Sequence, residues 1–326
     1  MTQRRRAQHI ASNADCEERC GGQTSVRSEW AFSPADSLAG ATSLAQPLAR
    51  VTRKQHKTGK QVTDMGSFLD AIADLPPAPG GMDAAEWQAR LELAATYRLV
   101  ELYGWTSIVY NHITLRVPGT DDFLINPFGL RYDEITASNL VRVTLSGDKV
   151  SDSPWPVNLA GYTIHSTLHR ARPDLHCIIH THEPISQALS ATDAPCVPVT
   201  QEGCQFFERI GYHDFEGIVL DGSEGPRLVM AIGEAHHTLL LRHHGLITAG
   251  PDCAWAFVRH LAFIRNTEVQ LSAMATGRMI PIPKAIMVNC RQQFEGGSAQ
   301  AGAKQRHPEW PALIRKVETL DPAWKT

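Results

Sequence analysis

Two short stretches decide most of what this chain can be. The first, Cys177-Ile178-Ile179-His180-Thr181-His182, follows Arg172-Pro173-Asp174 and alternates like a strand. A period of two puts Ile178, His180 and His182 on one face and Ile179 and Thr181 on the other. Two imidazoles so placed can converge on a single metal ion. The second stretch, LLLRHHGLITAG, ends an apolar run at His243, His244 and Gly245 about sixty residues later, and offers a third ligand. Three neutral nitrogens suit zinc, and a site with three protein ligands keeps a position open for substrate. That is the arrangement of a catalytic centre.

The rest of the composition narrows the partners. The 326 residues are 43% hydrophobic, enough for a substantial core. With 31 basic and 34 acidic residues the net charge is −3, which points to small polar molecules and away from nucleic acid or a membrane surface. Seven cysteines without framework spacing fit reduced thiols, and no apolar run approaches the length of a membrane span. Both features point to a cytoplasmic protein. Fifteen histidines is a high number, so each candidate ligand requires its own argument.

Along the chain, residues 1 to about 60 carry ten Lys/Arg, five Asp/Glu and no persistent period, and are expected to be disordered. The PPAPGG run at Pro76 to Gly81 reads as a linker, so a disordered extension over 1–80 precedes the domain. From Asp83 the spacing of Trp87, Leu91, Ala94, Ala95, Leu99 and Leu102 predicts a helix opened by an Asp83/Glu86 capping box and closed at Gly104. SIVYNHITLRVPG predicts two strands broken near Asn111 and His112, and FLINPFG and LVRVTLSGDKV continue as strand and hairpin. NLAGYTIHSTLHRA predicts a second helix, on which His165 and His169 lie four apart, a spacing that also binds metal. Further helices are predicted at PISQALSA and RLVMAIG. The longest runs from a cap at Asp252 to Gly277. The tail after Ile280 is expected to hold little core. This mixture predicts one α/β domain over about 81–280 with helices covering the faces of a sheet, and a tail over 281–326.

The order YNHITLR, FLINPFGLRYDEIT, His-x6-RPD-x5-HTH and HHGLITAG resembles the class II aldolase/adducin family. That family includes sugar-phosphate aldolases, a pentulose-phosphate epimerase, some aromatic or heteroaromatic decarboxylases, and the cytoskeletal protein adducin. The resemblance implies a three-layer α/β/α sandwich around a mostly antiparallel sheet. It also implies a homotetramer with active sites at subunit interfaces and a divalent metal on three histidines. Carried over by position, these are His180, His182 and His244, with His243 pointing the other way. Zinc is the first expectation; manganese, cobalt and iron also accept imidazole.

The departures matter as much. An ungapped alignment back from HTH puts Gly161 where the aldolases carry a catalytic glutamate, followed by Tyr162. Leu159 and Ala160 fall where sugar-phosphate members have phosphate-binding serines. Phe128 falls on a phosphate-loop threonine, and His112 on a loop asparagine beside Asn111. Without those hydroxyls a phosphate would face apolar side chains. The expected activity is therefore a metal-dependent lyase acting on a non-phosphorylated oxo- or hydroxy-acid, by retro-aldol cleavage or decarboxylation. His165, His112 and Tyr162 are its candidate catalytic groups. Asn111, Arg131 and Phe128 are its candidate substrate contacts, with Arg131 as a carboxylate clamp and Tyr132 as a further donor. Whether Glu183 turns inward to replace the missing glutamate is open. The alternative is a non-catalytic adducin-like scaffold with actin-type binding.

Overall fold

The computed structural model describes residues 75–219, 221–300 and 307–326. The segment expected to be disordered lies outside the described residues up to residue 74. The last part of the expected linker is ordered and packed: Leu75, Ala78 and Met82 lie against the core, and the Trp87 indole donates to the Pro76 carbonyl at 2.9 Å. The extension therefore does not run to residue 80.

The first helix, α1 (Ala84–Leu102), starts where Asp83 accepts from the backbone of Ala85 and Glu86. Glu86 does not complete a capping box; its carboxylate pairs with Arg90 and Arg142. Three strands follow, β1 (His112–Arg116), β2 (Phe123–Ile125) and β3 (Val141–Val143). The two-strand reading of SIVYNHITLRVPG fails upstream of His112. Ile108 adopts φ +50°, and Ile108 and Tyr110 are exposed, so their alternation belongs to a turn.

Helix α2 (Leu159–Ala171) leads into β4 (Cys177–Thr181) and α3 (Pro184–Ser190). Strand β5 (Ile210–His213), which the polar GYHDFEG region concealed, precedes α4 (Gly225–Ile232). Strands β6 (Thr238–Leu241) and β7 (Gly245–Gly250) form a hairpin. Helix α5 (Cys253–Thr276) is capped by Asp252, and α6 (Lys284–Gln300) and α7 (Trp310–Leu320) complete the described chain.

The seven strands form one mixed sheet in the order β3-β2-β1-β4-β7-β6-β5. Every neighbouring pair is antiparallel except β5 with β6. Cys177, Ile179, Ile113 and Leu246 pack on one face against α1, α3, α5 and α7. Ile178, Leu239, Leu241 and Ile247 pack on the other against Ile164 and Leu168 of α2 and Leu228 and Ile232 of α4. This is the three-layer α/β/α sandwich, in a single domain. Each fully buried aliphatic or aromatic side chain in these layers is worth about 1.5–3 kcal/mol of apolar burial.

The expectation of a coreless tail is corrected. Trp310, Ile314 and Val317 of α7 and the following Trp324 are buried in the same core as α1. Arg98 of α1 meets Asp321 at 3.1 Å, and the Trp324 carbonyl accepts from the Ala137 backbone at 2.9 Å. Among the described residues no helix is long and apolar enough to cross a membrane.

Candidate metal centre

Strand β4 runs between β1 and β7 at the middle of the sheet, and its period of two turns His180 and His182 toward the face covered by α2 and α4. Across β1, His112 stands in register with His180, and their rings are 4.8 Å apart. The third imidazole comes from the β6–β7 turn. His243 occupies a left-handed conformation at φ +55° and is exposed. The two histidines are therefore not a strand pair facing opposite sides; the turn itself brings His244 back beside the sheet. Gly245 makes this possible, because a Cβ there would lie 2.4 Å from the Thr181 carbonyl oxygen of β4.

The ligand nitrogens of His180, His182 and His244 all fall within 4.8 Å of one another. The Nε2 atoms of His180 and His182 are 3.0 Å apart. Tetrahedral zinc separates its imidazole nitrogens by about 3.3 Å, so the cluster fits a divalent ion of that kind. Orientation is built in as well. His180 Nδ1 donates to the Leu246 carbonyl at 3.1 Å, which leaves Nε2 as its bare nitrogen. Asn111 accepts from the His182 backbone N–H at 3.1 Å and donates to the Trp105 carbonyl at 2.6 Å. Burial lowers the pKa of all three histidines, and that of His244 falls to about 4 with help from His182 and His213. All three are neutral at neutral pH, as metal ligation requires.

Behind the cluster lies a second set of buried imidazoles. His112 Nδ1 is 2.9 Å from His165 Nε2, and His165 Nδ1 is 2.7 Å from the Thr114 hydroxyl. The same hydroxyl meets His169 Nε2 at 2.8 Å, and His169 Nδ1 donates to the Leu175 carbonyl at 3.1 Å. His112 is pushed down to about 3, first by burial and then by His182 and His244. On the opposite face, His260 of α5 bridges Thr181 at 2.8 Å and Thr248 at 2.9 Å and so braces the back of β4.

A model of the Class II Aldolase and Adducin N-terminal domain matches residues 91–271. The chain belongs to the class II aldolase and adducin family. It is 40% identical over 259 residues to a Pseudomonas aeruginosa protein provisionally named a class 2 aldolase, a match that covers 79% of this chain and all of that one. It is 41% identical over 197 residues to rat alpha-adducin, covering 60% of this chain but only 27% of the adducin. Among solved structures it resembles an aldolase II superfamily protein from Pseudomonas syringae, with a TM-score of 0.68 and 38% identity, covering 75% of this chain and 98% of that one. An L-fuculose 1-phosphate aldolase from Glaciozyma antarctica superposes with a TM-score of 0.66 at 27% identity, covering 80% of this chain and all of that one.

Within this class II aldolase frame, Gly161 explains itself. A Cβ there would sit 2.5 Å from His112 Cδ2 and 3.0 Å from its Nε2. A side chain at position 161, where the resemblance leads one to expect a glutamate, would collide with the His112 imidazole. Glu183 does not enter that space; its carboxylate caps α3, accepting from the Ile185 and Ser186 backbone.

Several expected site residues are otherwise engaged. Both side-chain groups of Asn111 hold backbone, the amide oxygen at His182 and the amide nitrogen at Trp105. Tyr162 donates to the Leu145 carbonyl at 2.8 Å and stacks on Phe123, so its hydroxyl is held at the turn after β3. Arg131 is exposed, with Asp133 at 3.0 Å and Glu134 at 3.4 Å, and is a surface ion-pair residue. Tyr132 is buried edge-on against Tyr97. Phe128 is half-buried beside the exposed Tyr110 ring at 6.3 Å. His165 and His169 are not a metal pair; both turn to Thr114. Sequence reading missed Thr114 and His260. Thr114 was within reach, since it shares a strand face with His112 two residues away.

Proposed function

We propose that this chain is a divalent-metal-dependent lyase that breaks a carbon–carbon bond in a non-phosphorylated oxo- or hydroxy-acid, by retro-aldol cleavage or decarboxylation. The observation that carries this reading is the His180–His182–His244 cluster with the His112 imidazole beside it, in the space a side chain at Gly161 would need. A divalent ion held by the three histidines, zinc first and manganese, cobalt or iron next, would supply charge stabilisation as the bond breaks.

The chain's own groups do the rest. His112 is neutral and offers its Nε2 to the substrate, and His165 holds the other side of its ring. In retro-aldol cleavage the hydroxyl proton passes to His112, the bond pair moves to the departing carbon, and a proton returns to that carbon. In decarboxylation the bond pair stays on the carbon that loses carbon dioxide, and that carbon takes its proton from water, because neutral His112 carries its one ring proton on the side of His165.

An unphosphorylated substrate is supported at the start of α2. Asn158 already accepts from the Ala160 and Gly161 N–H groups, so the helix terminus that could bind phosphate is capped by its own chain. Leu159 and Phe128 present apolar side chains in place of hydroxyls. A cytoplasmic homotetramer with sites at subunit interfaces completes the proposal. The exposed apolar Ile108, Tyr110 and Ile218 support such an assembly.

An adducin-like scaffold is the second reading, favoured by the 41% identity to alpha-adducin. The filled ligand positions weigh against it. Metal analysis of the purified chain and of His244→Ala, both folded and in one buffer, separates the two. About one divalent ion per chain, lost in the variant, is the expected result, followed by carbon dioxide or aldehyde release in a screen of oxo- and hydroxy-acids. No metal after soaking with zinc or manganese sinks the lyase and leaves the scaffold.

A further inference from the structure

A single carbonyl fixes the direction of every hydrogen bond behind His112. The Leu175 oxygen can only accept, so His169 Nδ1 carries the proton and donates to it. In a neutral ring His169 Nε2 is then bare, and the Thr114 hydroxyl must give its one hydrogen to it. The Thr114 oxygen is left to accept from His165 Nδ1. His165 Nε2 is therefore bare and accepts from His112 Nδ1. The last atom in the chain, His112 Nε2, can carry no proton, and among the described residues no hydrogen bond is given to it.

The rings satisfy the one condition the deduction needs. His112, His165 and His169 are buried between β1, β4 and α2, and among the described residues no carboxylate hydrogen-bonds to any of them. Burial also keeps His169 neutral, with its pKa down at about 3.

We propose that Thr114 and His169 are positioning residues that lock His112 in the Nδ1–H tautomer, presenting Nε2 as an obligate hydrogen-bond acceptor beside the His180–His182–His244 cluster. An obligate acceptor repels a carbonyl or carboxylate oxygen and requires a donor. At that point the site selects a ligand hydroxyl, and so a hydroxy-acid over the matching oxo-acid. This selectivity clause rests on the proposed lyase; the tautomer lock does not.

The test is nitrogen-15 NMR of histidine tautomers in the full-length protein, with zinc present. The parent is expected to show Nδ1–H at His112, His165 and His169 alike. Thr114→Ser, which keeps the hydroxyl, is expected to preserve that pattern, and Thr114→Val to release His112 into a mixture containing Nε2–H. Nε2–H at His112 in the parent, or an unchanged pattern in a folded Thr114→Val, overturns the lock. If the valine variant does not fold, the parent and serine spectra still decide. Calorimetry with a matched pair, 2-hydroxy-2-phenylacetate and 2-oxo-2-phenylacetate, reads the second clause. Tighter binding of the hydroxy member supports it. Preference for the oxo member, or binding of neither, with the tautomers intact, counts against the substrate reading and leaves the lock standing.

Discussion

At the scale of single residues, the centre depends on two close approaches that only glycine permits. At Gly161 even one methyl group meets the His112 ring at 2.5 Å, so the ring must leave its place. Gly161→Ala is expected to cost about 1–3 kcal/mol of stability, as overpacking does. It should lower turnover at least tenfold, or about 1.4 kcal/mol in the barrier, while bound metal is retained. Thermal unfolding, metal content and turnover on the substrate found by screening check this; full activity with His112 displaced would remove that ring from the mechanism. The clustering of His180, His182 and His244 was legible because a period of two, the preceding Arg172-Pro173-Asp174 and the Gly245 after His244 all point the same way. Thr114 was not, since a threonine in a strand is ordinary and its partners come from a helix about fifty residues on. Asn111 and Tyr162 were misplaced for a related reason: sequence position shows proximity to a site, but not which backbone carbonyl will claim a side chain.

At the scale of elements, α7 is the main correction. Trp310, Leu313, Ile314 and Val317 follow a helical period, yet the Gly-, Gln- and Lys-rich stretch before them hid that pattern. What no local pattern contains is the destination of that face, which is α1, already buried on its other sides by the sheet and α5. Trp310→Ala is expected to destabilise the domain by about 3–5 kcal/mol, read as a lower urea midpoint. Loss below about 1 kcal/mol would mean that α7 is dispensable to the core. The start of β1 shows the opposite failure. Ile108 and Tyr110 have the alternation of a strand, but the left-handed turn at Ile108 and the hold of Asn111 on Trp105 and His182 override it.

At the scale of the whole molecule, the buried imidazoles make stability depend on pH in one direction. His169 and His260 both have folded pKa values near 3 through burial, against about 6.5 in an unfolded chain. Between those values the unfolded state binds protons that the folded state does not. Stability is full above pH 6.5 and falls as pH drops below it, by about 1.4 kcal/mol per unit for each ring. Urea midpoints at pH 7, 6 and 5 should decline before ordinary carboxylates titrate; a flat profile would show that these rings protonate freely in the fold. The sandwich itself was legible, because alternating helices and hairpins leave few other ways to bury a central sheet.

The relay behind His112 also sets the order in which such a site can decay over generations. His182 and His244 stand at the rim, half-buried, and can be exchanged with little damage to the interior. His112, His165, Thr114 and His169 cannot be exchanged one at a time without stranding a buried partner. A descendant that abandoned chemistry for scaffolding would therefore lose its rim ligands first. The inner histidines would outlast them, as the imprint of a reaction no longer performed.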